Sequence, residues 1–183
     1  MIVSLPDLAE ELKRIPNLHD DGGKVDALLR RHAVDPAALE PYVHFEDGAY
    51  TRNCVYRDGV FELLVLCWAP GARSAIHDHG GNRCWLVPQS GGFTIDDYIR
   101  IEGGRRPGPV RLEQCAAGPL ELGDIDARGF DDDHDIHAVS VDRPSISLHV
   151  YAAPIGRFLV YDWQHRSCDA RRFEAQDVYD YVI

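Results

Sequence analysis

No apolar run in this chain approaches the roughly 20 residues that a membrane-spanning helix requires. Positive charge is scarce as well: 19 Lys and Arg stand against 30 Asp and Glu, a formal net charge of −11. A surface of that sign repels phosphate backbones and anionic lipid, which argues against nucleic-acid and membrane partners. The five cysteines, Cys54, Cys67, Cys84, Cys115 and Cys168, include no Cys-x-x-Cys pair. That absence counts against a structural zinc site and a thioredoxin-type redox motif. Their odd number and scatter fit thiols kept reduced. A glycine-rich dinucleotide fingerprint is missing too, so no nicotinamide or flavin site is expected. The opening stretch, MIVSLPDLAEELKR, lacks the basic start of a signal peptide, and a cytoplasmic location is the expectation.

What is present fits one folding unit. The 183 residues carry 45% hydrophobic and 27% charged side chains, ordinary values for a globular protein long enough to bury a core. With no repeats, low-complexity tracts or linkers, residues 1–183 are expected to form a single domain, a helical cap over 1–45 and a β-barrel over 46–183. In the cap, Leu8, Leu12 and Ile15 fall on one helical stripe that Pro16 ends. A second amphipathic stretch runs around Asp26–Leu29, and Asp35-Pro36 starts a third helix.

From Tyr50 the hydrophobic period changes to two. Strands are expected at 50–56, 60–68, 74–79, 83–87, 92–101, 110–112, 138–141 and 145–152, with a last pair through 157–163 and towards Phe173. Arg57-Asp58-Gly59 reads as a hairpin turn, and Gly or Pro punctuates the rest, including Gly118-Pro119. Many short strands without intervening helices mean an all-β sandwich or barrel.

The chemistry centres on Ser74-Ala75-Ile76-His77-Asp78-His79-Gly80. Residues i and i+2 of a strand point to one face, so His77 and His79 can meet one metal ion while Asp78 faces away. Two histidines on a surface loop give the same loose pattern. For a third ligand His134 and His137 compete. His134 sits in Asp131-Asp132-Asp133-His134-Asp135, an acidic loop expected to stay solvated, whereas His137 enters the apolar Ala138-Val139 and is preferred. Ser147, His149 and Tyr151 alternate with Ile146, Leu148 and Val150, so a polar row faces one side and must be hydrogen-bonded if buried.

Gly71, His77, His79 and Gly91 together resemble the first motif of the cupins, jelly-roll barrels (double-stranded β-helices) that hold a metal inside. Where that motif usually has an acidic ligand, this chain has Cys84. Cys67-Trp68, Ser74–His79, Cys84, Asp135-Ile136-His137, Ser145–Tyr151 and Tyr50-Thr51-Arg52-Asn53 are similar to the cysteine dioxygenases, the thiol dioxygenase branch of the cupins. That resemblance implies iron(II), Fe(2+), held by His77, His79 and His137 with no acidic ligand. Three neutral ligands suit a metal that must accept an anionic thiolate beside O2.

It further implies Arg52 as the partner of a substrate carboxylate, with Tyr50 beside it. Most arginines on strands are simply exposed, and it is the resemblance that singles this one out. Tyr151 and His149 take catalytic positions, and Cys84 and Tyr151 occupy the pair that many family members join by a thioether. The implied reaction converts L-cysteine and O2 to cysteine sulfinic acid, in a protein expected to be a monomer. The alternatives are a 3-mercaptopropionate or cysteamine dioxygenase on the same site, or a non-catalytic metal-binding cupin. Relatives acting on 3-mercaptopropionate carry glutamine at the arginine position, so Arg52 favours cysteine. No cysteine lies in Arg157–Tyr161, unlike many animal members.

Overall fold

Ser4 begins the first ordered helix by accepting a hydrogen bond from the Asp7 amide at 3.3 Å, with Pro6 in the first turn where no amide hydrogen is needed. The computed structural model describes residues 2–129 and 135–172. Strand β1 (Ile2–Val3) pairs in parallel with β2 (Ala33–Val34), closing a small sheet around helices α1 (Leu5–Lys13) and α2 (Gly22–Arg31). Asp35 then caps α3 (Pro36–Leu39) through the Ala37 amide at 3.0 Å, as the Asp-Pro pair suggests.

Twelve further strands form two larger sheets. In chain order they are β3 (Tyr50–Arg57), β4 (Glu62–Trp68), β5 (Ile76–His77), β6 (Cys84–Ser90), β7 (Phe93–Glu102) and β8 (Gly108–Pro109). They continue as β9 (Arg111–Leu120), β10 (Asp126–Arg128), β11 (Ile136–Val141), β12 (Ser145–Tyr151), β13 (Arg157–Asp162) and β14 (Ser167–Arg172). One sheet has the order β10-β6-β12-β4-β3, the other β8-β14-β13-β5-β11-β7-β9, and every pairing within them is antiparallel.

The five-stranded sheet is buried on both faces, which explains why β4 reads as an unbroken apolar run. Leu63, Val65 and Cys67 point outward with Trp85, Leu148 and Val150, and α1 and α2 cover them with Leu5, Leu8, Leu12, Val25 and Leu29. Leu64, Leu66 and Trp68 point inward and meet Phe93, Ile95, Val139 and Phe158 of the opposing sheet. Fully burying one such side chain contributes about 1.5–3 kcal/mol. The expected barrel with a helical cap is therefore the observed architecture.

Several boundaries differ from expectation. The strand expected at 74–79 narrows to Ile76–His77, because Asp78 turns away to bond β13. The strand expected at 110–112 runs to Leu120 through Gly118-Pro119; β9 is an edge strand, where a missing amide hydrogen is tolerated. Likewise β6 continues through Pro88, since β10 covers only Cys84–Leu86 and leaves that end of the strand uncovered. The short β10 was not anticipated, whereas β13 and β14 form the last pair expected through 157–163 and towards Phe173.

Candidate metal centre

His77 and His137 are paired across β5 and β11, which puts two imidazoles on one face at the same height in the sheet. His79 follows two residues later on that face. Gly80 ends the segment at a φ of +64°, with the Arg157 carbonyl where a side chain would begin, so only glycine fits the turn. The three rings form a nearly equilateral triangle, with centroid separations of 5.2 Å (His77–His79), 4.8 Å (His77–His137) and 5.0 Å (His79–His137). One nitrogen from each lies within 4.8 Å of the others, the only group of its kind among the described residues.

Each ring is tied on its outer side. His77 Nδ1 donates to the Ala75 carbonyl at 2.9 Å, His79 Nδ1 to Asp135 Oδ1 at 2.8 Å and His137 Nδ1 to Asp126 Oδ2 at 3.1 Å. With Nδ1 committed three times over, Nε2 is the nitrogen left to bind a cation in the centre. The donor set thus fits a divalent transition metal that favours imidazole. Burial, reinforced by the neighbouring imidazoles, drives His77 well below the ordinary imidazole pKa, and burial lowers His137 too. His79 differs: burial opposes its charge, but the Cys84 sulfur and the Asp135 carboxylate outweigh that and push it up to about 10.

Asp78 faces away as expected, accepting from the Leu159 amide at 2.9 Å, the Gly80 amide at 3.0 Å and the Tyr161 hydroxyl at 2.8 Å. Asp135 corrects the sequence reading. Its place in the acidic loop predicts a solvated carboxylate, yet it is buried, with both of its oxygens turned onto His79. His134 lies outside the described residues. Sequence reasoning missed Asp126 altogether, as nothing in Asp124–Arg128 distinguishes one carboxylate from another.

The imidazoles open onto a cavity of about 30 Å³, room for roughly two water-sized groups. Arg52, Tyr50, His149 and Tyr151 share its lining with the three histidines, and Leu66, Trp68, Val139, Ile155, Phe158 and Val160 supply apolar walls. Tyr50 stacks on Trp68 with ring centroids 4.2 Å apart. Arg52 is buried and donates from Nη1 to the Tyr151 hydroxyl at 3.4 Å. Burial works against its charge, but the pull of Tyr151, Glu62 and Tyr50 outweighs it and raises the pKa.

A hydrogen-bonded row runs along β12. Trp68 Nε1 donates to Ser147 Oγ at 3.0 Å, Ser147 Oγ lies 3.0 Å from His149 Nε2, and His149 Nδ1 lies 3.5 Å from the Tyr151 hydroxyl. Burial and the Arg52 charge keep His149 well below the ordinary imidazole pKa. Cys84 is buried opposite Tyr151 as its partner across β6 and β12. His77, His79, His137, Arg52, Tyr50, His149 and Tyr151 therefore line one cavity, while Cys84 is not among its lining residues.

Two facing antiparallel sheets enclosing convergent imidazoles define a cupin. The solved structure of an uncharacterized conserved protein with a double-stranded β-helix domain from Klebsiella pneumoniae shares that fold. It is 21% identical with a TM-score of 0.50, covering 67% of this chain and 87% of its own. A family model described as cysteine dioxygenase type I matches residues 7–164. Cysteine dioxygenase type 1 from Rattus norvegicus and from Homo sapiens are each 30% identical over 146 residues, covering 76% of this chain and 68% of theirs. The chain belongs to the cysteine dioxygenase type I family. Among the described residues, no helix is long and apolar enough to cross a membrane.

Proposed function

We propose that this protein is an iron(II)-dependent thiol dioxygenase that converts L-cysteine and O2 to cysteine sulfinic acid. The observation that carries this reading is the outward commitment of all three Nδ1 atoms, which leaves a carboxylate-free set of Nε2 donors. Iron(II) held by His77, His79 and His137 would supply the positions at which a thiolate and O2 meet.

The chain's own residues bind and orient. Arg52 receives the substrate carboxylate through its forked donors, and its burial makes that contact stronger than one in water. Tyr50 closes the same side. The Tyr151 oxygen accepts from Arg52 and, with His149 neutral and protonated on Nδ1, from His149 as well. Its own proton is then free to point into the cavity, at the reacting sulfur and oxygen atoms. Trp68 and Ser147 hold the His149 ring in that tautomer. Apolar walls from Val139, Ile155 and Phe158 keep water out. Cys84 and Tyr151, cross-strand partners on β6 and β12, would be joined by a thioether, a sulfur–carbon bond made by removing the thiol hydrogen and one ring hydrogen, with the two hydrogens and two electrons passing to O2 to give hydrogen peroxide.

The deciding experiment is anaerobic loading with iron(II), then oxygen uptake and product identification with L-cysteine, 3-mercaptopropionate and cysteamine. Cysteine sulfinic acid as the preferred product supports the proposal. Preference for another thiol changes the substrate, and metal binding without uptake of O2 leaves a binding cupin.

A further inference from the structure

The ligand set has no carboxylate, yet two carboxylates stand directly behind it, and they are held differently. Asp135 spends Oδ1 on His79 Nδ1 at 2.8 Å and Oδ2 on the His79 amide at 3.2 Å. Among the described residues its only ion-pair partner is His79, so its charge is directed at one ring. Asp126 gives Oδ2 to His137 at 3.1 Å but shares Oδ1 with Arg128 Nη2 at 2.6 Å, and Arg128 also holds Asp97 at 2.7 Å. The third ring, His77, leans on a neutral carbonyl two residues away in its own strand segment.

We infer that Asp135 is a positioning residue that delivers, through His79, the negative charge absent from the ligands themselves, and that Asp126 does the same for His137 more weakly. The physical basis is polarisation: a carboxylate accepting the Nδ1 hydrogen makes the opposite nitrogen a better donor and fixes its tautomer and direction. At Asp126 the paired Arg128 guanidinium offsets part of this. The imidazoles are thus graded, with His79 the strongest donor, His137 next and His77 last. The charge sits one bond network away from the metal, which leaves the ligating atoms themselves free of a carboxylate. This rests on the reading that the three histidines hold a divalent metal.

The test measures affinity rather than turnover. Cobalt(II) dissociation constants are determined on the full chain by competition with a chromophoric chelator for wild type, Asp135→Asn, Asp135→Glu and Asp126→Asn, and the visible absorption bands of bound cobalt are recorded. Asp135→Asn is expected to weaken binding about 10- to 100-fold and shift those bands. Asp135→Glu should recover part of the loss, and Asp126→Asn should lose less than Asp135→Asn. Tight binding by wild type with affinity and bands unchanged in Asp135→Asn overturns the inference while leaving the metal site intact. Failure of wild type to bind cobalt or iron(II) removes the metal site itself. Should Asp135→Asn fail to fold, Asp135→Ser takes its place: affinity and bands equal to wild type overturn the inference.

Discussion

His77 and His137 face each other across β5 and β11 with ring centroids 4.8 Å apart, His77 half-buried and His137 buried, and both turned so that Nε2 is the inward nitrogen. Two neutral imidazoles gain little from each other at that distance. A cation between them converts the arrangement into stabilisation. Cobalt(II) at about 100 times its dissociation constant should add about 2.7 kcal/mol to folding. For a chain of this length that raises the melting temperature by about 5–11 °C. Calorimetry with and without chelator measures it, and His137→Ala should abolish the shift. A wild-type melting temperature indifferent to metal would falsify the site.

Arg52 makes a prediction that separates substrates. Its guanidinium meets a carboxylate, so Arg52→Ala should lower kcat/KM for L-cysteine and 3-mercaptopropionate by roughly 10- to 150-fold, the value of a charge-assisted hydrogen bond. Cysteamine has no carboxylate, and its turnover should move little. Equal losses for all three thiols would mean that Arg52 supports the cavity wall and does not recognise substrate.

Cys84 and Tyr151 are paired across β6 and β12, and both are buried. After iron loading and exposure to cysteine and air, a fraction of the protein should lose two hydrogens by intact mass. Peptide mapping should then join the fragments containing the two residues. Cys84→Ser should hold a single, unshifted mass under the same treatment; a shift persisting in that variant assigns the change elsewhere.

The inward face of the site was legible because strand period fixes it: His77 with His79, Ser147 with His149 and Tyr151, and Tyr50 with Arg52 each follow the i, i+2 rule. Arg52 and Cys84 needed the family resemblance, since pattern alone makes one a surface arginine and the other a core thiol. What stayed hidden was everything that depends on distant chain segments. Asp126 reaches His137 only because β10 is laid along β6, and a three-residue strand has too few positions to show a period. Asp135 looked solvated because its neighbours in sequence are acidic, whereas its burial comes from His79, 56 residues earlier in the chain.

His149 gives the protein a pH dependence with a definite sign. Its folded pKa lies well below 6.5 because it is buried beside the charged Arg52. In the unfolded chain the same ring takes up a proton near its ordinary value of about 6.5, so acid favours the unfolded state below that point. The contribution is full above about pH 6.5 and falls by about 1.4 kcal/mol per pH unit below it, until the folded pKa is reached. Denaturant unfolding of wild type and His149→Gln between about pH 7.5 and 5.5 isolates the effect, since the variant lacks the titrating ring. Parallel pH profiles for the two proteins would contradict it.

The two faces of β4 separate stability from chemistry. Leu63 is fully buried against the helices on the outer face, while Leu66 is buried on the inner face and lines the cavity. Truncating either to alanine removes comparable apolar contact and leaves a comparable void, so each variant should lose about 2–5 kcal/mol of stability. Their kinetics should diverge. Leu63→Ala leaves the cavity untouched, and below its melting transition it should keep wild-type kcat and KM. Leu66→Ala opens space beside Arg52, its partner across β3 and β4, and lets bound substrate shift against the imidazoles. A displacement approaching 1 Å is enough to cost on the order of 10–100-fold in kcat/KM. If Leu63→Ala loses turnover as steeply as Leu66→Ala at matched stability, the helical layer is coupled to the cavity and the division of the strand into a structural and a chemical face fails.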